Sequence, residues 1–274
     1  MSEQRPGAAS PLDTVAPDAP RSSESCVRIG LVLPDVMGTY GDDGNALVLR
    51  QRLRWRGYDA EIVRITLDDE VPESCDVYTV GGGEDSAQML ASRHLSRSPG
   101  LQRAVERGVP VLAICAGMQV FGEWFVVSDG SRAPSLGVLD VTTSPQARRS
   151  IGELVSEPLL EGLDSPLTGF ENHMGATVLG PAARRLGRVR GGVGNGVPAG
   201  EPAPGDGLVE GVVQGSVVAT YMHGPALARN PELADLLLCR AVGVDALEPL
   251  DAPGHERVPA QKVLRAERLA AARR

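Results

Sequence analysis

Cys115 is the residue in this sequence best placed to act as a nucleophile. It follows the apolar run 109–114, broken only by Pro110, and precedes Ala116, Gly117 and a stretch to Phe125 with apolar residues at helical spacing. A short apolar run bounded by breakers is the pattern of a buried strand in a parallel sheet. A tight turn from such a strand into a helix puts Cys115 at the helix N-terminus. There unpaired N–H groups and the helix dipole favour an anion, so a thiolate is stabilised. The small residues at 116 and 117 allow the turn and let a substrate come close. This is the cysteine form of a nucleophile elbow. The competing reading is an inert buried cysteine in an ordinary βα unit.

A thiolate nucleophile needs a base within hydrogen-bond reach. His223 leaves the apolar run 217–221 (VVATY) as Cys115 leaves its own. It is the better-placed partner, with His173 the alternative; His94 and His255 lie in polar stretches. A second feature is Gly81-Gly82-Gly83 after the run 76–80. Consecutive glycines at a strand end expose N–H groups that could cradle a phosphate or donate to an oxyanion. Neither a GxGxxG nor a GK[ST] pattern accompanies them, so a nucleotide site is the weaker reading. A tight turn without a ligand remains the plain alternative.

Strands and helices must alternate to hold these groups. Residues 27–33 read as a first strand, followed by a polar loop, a helix over 46–56 stopped by Gly57, a strand over 59–65 and a third strand over 76–80. Glu84-Asp85 open a helix, and 101–108 end another that leads back to the Cys115 strand. The stretch 118–125 is expected to be helical. This order predicts an α/β fold: a doubly wound, flavodoxin-like, mostly parallel sheet with helices on both faces and its chemistry at the strand C-termini. Residues 136–141 and 165–170 read as further strands or turns, and 169–175 (GFENHMG) as a polar island. The Gly/Pro-rich 191–207 reads as a flexible surface loop. Asn230 and Pro231 are expected as N-cap and first residue of a last helix reaching about 242.

Composition narrows the class. The chain has 274 residues, 42% of them hydrophobic and 23% charged, as in an ordinary globular protein. Aromatic residues make up only 3%, so the core must be built from Val, Leu, Ile and Ala. A net charge of −8 argues against nucleic acid or an anionic membrane as partner. The four cysteines, at 26, 75, 115 and 239, form no CxxC pair. That fits neither a zinc site nor a disulfide framework, and it suits the cytoplasm. No stretch approaches the ~18 apolar residues of a membrane span. Residues 1–26, rich in Pro, Ser, Ala and charge, read as a disordered tail, 27–247 as the folded domain and 248–274 as a polar, basic tail.

With these residues in view, the chain resembles the class I, triad-type glutamine amidotransferases of the cobyric-acid-synthase-like branch. The Cys-Ala-Gly-Met-Gln run at 115–119 is similar to that family's nucleophile motif. YGDDGN (40–45), LRWRG (53–57), GGGEDSAQ (81–88), RSIG (149–152), GFENHMG (169–175) and TYMHGPALARNPELAD (220–235) are similar to the glutaminase subunits that serve lipid II amidation. The resemblance covers 27–244. It implies hydrolysis of glutamine to glutamate and ammonia, with Cys115 as nucleophile and His223 as base. It further implies an oxyanion hole from the N–H of Ala116 and of Gly82 or Gly83, Arg149 on the glutamine α-carboxylate, and Gln119 lining the pocket. Ammonia would pass to a Mur-ligase-like partner in a heterodimer. That partner would hold ATP and Mg and amidate D-glutamate of the lipid II stem peptide, so neither a cofactor nor a metal is expected on this chain. Two other readings remain: an amidotransferase of corrinoid synthesis, and a non-catalytic flavodoxin-like binding module.

The chain departs from the wider class in one respect. Triad amidotransferases carry His-x-Glu, whereas Gly224 and Pro225 follow His223. Glu171 and Glu232 are the nearest acids in the motifs. The sequence therefore leads to the expectation that an acid from the partner subunit completes the site.

Overall fold

A computed structural model describes residues 25–250; all but the innermost residues of the two expected tails lie outside that range. The first half alternates as the periodicity requires: β1 (Val27–Val32), α1 (Gly44–Arg54), β2 (Ala60–Ile65), β3 (Val77–Val80), α2 (Asp85–Arg97), α3 (Gly100–Glu106), β4 (Val111–Ile114) and α4 (Ala116–Phe121). Then come β5 (Trp124–Val126), β6 (Arg132–Pro134), β7 (Val141–Pro158), β8 (Leu167–Leu179) and β9 (Gly187–Gly191). The chain closes with β10 (Val209–Glu210), β11 (Val212–Gln214), β12 (Val217–Thr220), α5 (Ala226–Arg229) and α6 (Pro231–Val242).

The first sheet has the order β11-β12-β4-β3-β1-β2, parallel except for the antiparallel edge strand β11. Leaving out that edge, the order is the flavodoxin-like one, so the expected α/β fold is present. β3, β4 and β12 are buried at every residue, as strands covered on both faces must be, while edge strand β2 keeps two partly exposed positions and two exposed ones. α1, α5 and α6 pack together, with α1 against β1, β2 and β3; α4 packs on β4 and β12 with α2 beside it. The core is aliphatic, as the scarcity of aromatics requires.

Register places the reactive loops. Val80 lies opposite Ala113, Ala113 opposite Ala219, and Ile114 opposite Thr220. Three neighbouring strands thus end nearly level, and the glycine turn, Cys115 and the segment leading to His223 emerge side by side.

The second half corrects the sequence reading. Beside the parallel sheet stands a second, mostly antiparallel one in the order β10-β9-β7-β5-β6, with β8 also paired to β7. The helix expected over 118–125 stops at Phe121, and 124–126 form β5. A side chain on Gly122 would meet the Val141 carbonyl, so the chain turns there to join the second sheet. The short strands expected over 136–141 and 165–170 are displaced by the long β7–β8 hairpin, and GFENHMG lies within β8. Its polar residues hid the alternation. The stretch 191–207 is pinned along its first part: Glu171 accepts the N–H groups of Val193 and Gly194, and Asn195 is buried against Gly211. Pro231 opens α6 as expected, but the Asn230 side chain does not cap it. It bridges to both backbone groups of Thr168 on β8 instead.

Candidate active site

Cys115 has φ 53° and ψ −108°, a conformation rare for any residue with a side chain. The turn forces it. The Cys115 N–H donates to the Thr220 carbonyl at 2.8 Å, while the next residue already begins α4. Such strain costs about 1–3 kcal/mol and persists only where the surroundings impose it. Gly117 has no room for a side chain against the Val80 and Gly81 carbonyls, which explains the small residue there. Cys115 is nearly buried, 8% exposed, and lines a cavity of about 720 Å³ together with Ala116, Gly83, Gln119, Arg149 and His223.

His223 sits beside it, buried, its backbone N–H on the Phe170 carbonyl of β8. Its Nδ1 lies 3.1 and 3.0 Å from the two carboxylate oxygens of Asp42. The second of these oxygens also accepts the Gly82 N–H at 2.9 Å. Asp42, itself buried, comes from the turn before α1, 181 residues away along the chain. The two turns interlock. Pro225 packs on Gly44, where a Cβ would meet it at 2.3 Å, and the Asn45 side-chain oxygen accepts the Leu227 N–H. A carboxylate on Nδ1 holds the proton there and leaves Nε2 facing the nucleophile. Burial pushes the imidazole towards neutrality, but Asp42 and Cys115 outweigh it and raise the group from 6.5 to about 10. Nε2 has no hydrogen-bond partner among the described residues, as befits a group that hands a proton to a reacting atom.

Asp42 of this chain thus stands where the sequence led to the expectation of an acid from a partner subunit. Neither motif acid serves His223. Glu171 accepts from Val193 and Gly194, and Glu232 holds Ser165 at the start of α6. The only sequence signal for Asp42 was an acidic pair at a strand-to-helix junction, where an N-cap role looks the same.

The glycine turn also differs from expectation in part. The Gly82 N–H donates to Asp42 and so is not free to meet an oxyanion. The Gly83 N–H, like that of Ala116 at the start of α4, makes no hydrogen bond among the described residues, and both residues line the cavity. Gly82 instead provides clearance: a Cβ there would meet His223 Cε1 at 2.9 Å and Cys115 Cβ at 3.3 Å.

Arg149 reaches the cavity from a bulge in β7 between Pro145 and Ser150, with its Nε on the Asn172 side-chain oxygen at 2.6 Å. Asn172 in turn donates to the Tyr40 hydroxyl, and the Tyr40 ring stands edge-on to His223 at 4.9 Å. Gln119 lines the cavity as expected, yet its amide is engaged on both sides, by Gln88 and by the Tyr221 hydroxyl at 2.8 Å each. These bonds fix the orientation of the amide and leave it one N–H and one lone pair. His173 is not the base. Its ring stacks on Tyr221 at 3.7 Å and its Nδ1 contacts the Gly175 carbonyl. No group of His, Cys, Asp and Glu suited to a metal ion occurs among the described residues.

A strained cysteine, a histidine and an aspartate at the ends of a flavodoxin-like sheet define a thiol-dependent acyl-transfer enzyme. The chain belongs to the family described as the CobB/CobQ-like glutamine amidotransferase domain, which it matches over residues 28–231. It is 34% identical over 237 residues to the GatD subunit of the glutamine-hydrolysing lipid II isoglutaminyl synthase of Staphylococcus aureus, covering 85% of this chain and 92% of that one. It is 32% identical over 240 residues to the corresponding GatD subunit of Streptococcus pneumoniae, covering 86% and 88%. A crystal structure of a glutamine amidotransferase shares the fold, with a TM-score of 0.53 at 24% identity over 78% of this chain and 98% of that one.

Proposed function

We propose that this glutamine amidotransferase releases ammonia from glutamine for amidation of the D-glutamate α-carboxylate in the lipid II stem peptide. The amidation itself would take place on a Mur-ligase-like partner in the cytoplasm. That partner, bound as a heterodimer, would hold ATP and Mg. The reading rests on the Cys115–His223–Asp42 arrangement together with the similarity to two GatD subunits over most of both chains.

The steps follow from the geometry. Cys115 Sγ attacks the glutamine side-chain carbonyl. The tetrahedral oxyanion is received by the N–H groups of Ala116 and Gly83, and a lost donor of this kind lowers kcat by about 10²–10³. His223, carrying on Nε2 the proton taken from the Cys115 thiol, delivers it to the amide nitrogen so that this leaves as ammonia, while Asp42 stabilises the imidazolium. It then takes a proton from the water that frees glutamate from the thioester. Arg149 reads the glutamine α-carboxylate with its terminal nitrogens, leaving its Nε on Asn172.

The test is to supply glutamine labelled with ¹⁵N at its side-chain amide, ATP and lipid II to the chain co-purified with its partner. Label in the D-isoglutamine amide is the expected result. Glutamate release without transfer to lipid II would redirect the ammonia to another acceptor.

A further inference from the structure

Glu210, the last residue of β10, is wholly buried, does not line the cavity and has no cationic partner among the described residues. An acid in such a place is unfavourable unless its oxygens are used. One oxygen accepts from the Thr220 hydroxyl and from the Tyr221 N–H, the latter at 3.2 Å. The same hydroxyl accepts the Met222 N–H at 3.0 Å. Thr220 is where β12 ends, so these two N–H groups have left the strand ladder and need other acceptors. The Thr220 carbonyl meanwhile holds the Cys115 N–H at 2.8 Å. Thr220 is thus joined on one side to the nucleophile's elbow and on the other to the residue preceding His223. Glu210 fixes its orientation from below.

We propose that Glu210 is a positioning residue for the Cys115–His223 pair, setting the separation of Sγ and Nε2 through Thr220. The inference rests on the reading of those two residues as the reacting pair. Its requirement is an acceptor oxygen at Glu210 and not a charge, so the amide should serve as well as the acid.

Glu210→Met, of similar length but without an acceptor, tests this in the full chain with its partner. A displacement of about 1 Å between reacting groups lowers turnover by about 10²-fold. Glu210→Met should therefore lose about 10–100-fold in kcat at little change in KM for glutamine, and Glu210→Gln should keep most of the kcat. The pH profile of Cys115 alkylation by iodoacetamide should move in Glu210→Met and stay put in Glu210→Gln. If Glu210→Met does not fold, Thr220→Val breaks the same link and should show the same losses. A folded Glu210→Met or Thr220→Val with wild-type kcat and an unmoved alkylation profile overturns the proposal. So does a Glu210→Gln as impaired as Glu210→Met. Should the wild-type chain release no glutamate while the alkylation profile still depends on Glu210, the positioning role stands and the glutaminase reading falls.

Discussion

Replacing Asp42 by asparagine separates an acid supplied by this chain from one supplied by a partner. In the wild type the two carboxylate oxygens face Nδ1 of His223 and one also holds the Gly82 N–H. Asparagine keeps one acceptor, so its NH₂ group must face either the Gly82 N–H or Nδ1. If it faces Nδ1, the imidazole proton moves to Nε2, where it blocks proton transfer from Cys115. Burial opposes a charged His223, yet the group stands near 10 against an ordinary 6.5 because Asp42 and Cys115 stabilise the imidazolium. That difference corresponds to on the order of 5 kcal/mol, shared between the two partners. The same substitution in a serine triad lowers kcat by about 10⁴. A thiol is easier to ionise than a hydroxyl, so Asp42→Asn should lower glutaminase kcat by about 10²–10⁴, measured as glutamate release at saturating glutamine. The stability effect has a definite sign. A histidine whose folded pKa is raised contributes stability that is fully present below its unfolded value near 6.5 and is lost as pH rises through about 10. The Tm difference between wild type and Asp42→Asn should therefore be largest near pH 6 and shrink towards pH 10. Wild-type kcat in Asp42→Asn would refute the assignment, and so would full rescue of that variant on binding the partner subunit.

Cys115→Ser should leave the fold intact and release no glutamate above background, checked by circular dichroism alongside the assay. Gly82→Ala puts a methyl against His223 and Cys115, and should lower kcat by about 10-fold or more while Tm changes little. Arg149→Ala removes a charge-assisted pair worth roughly 1.5–3 kcal/mol, so the KM for glutamine should rise by about one to two orders of magnitude with a smaller effect on kcat. Burial lifts the Glu210 carboxyl from 4.5 to about 7, over the opposing bonds from Thr220 and Tyr221. The wild type should therefore lose up to about 3 kcal/mol of stability as pH rises from below 4.5 through 7. Glu210→Gln should lack that component in denaturant titrations at pH 5 and pH 8.

The sequence by itself determined the groups whose roles follow from local chain geometry. A buried strand running into Cys115, two small residues and a helix makes an elbow wherever it occurs. The apolar run 217–220 similarly delivers His223 to a strand end, and the glycines after Val80 mark a turn where backbones crowd. Hydrophobic periodicity was enough to mark most strands of the parallel sheet, because strands buried on both faces carry a strong signal, while their order came from the structure. The second sheet carried little: β7 and β8 bury polar residues such as Gln146, Ser150, Glu171 and His173 and expose Ile151, Met174 and Val178, so the usual alternation is inverted, and the bulge that aims Arg149 is set by cross-strand register. Only the tertiary structure chose the acid. An aspartate in a polar turn is indistinguishable in sequence from a helix cap until the interlock of Gly44 with Pro225 brings Asp42 onto His223, and a partner's acid was the expectation in its absence. The same aspartate engages the Gly82 N–H, because a backbone donor serves one acceptor and local sequence does not say which. Side chains that act through contacts far apart in the chain acquire their roles only when the packing is known.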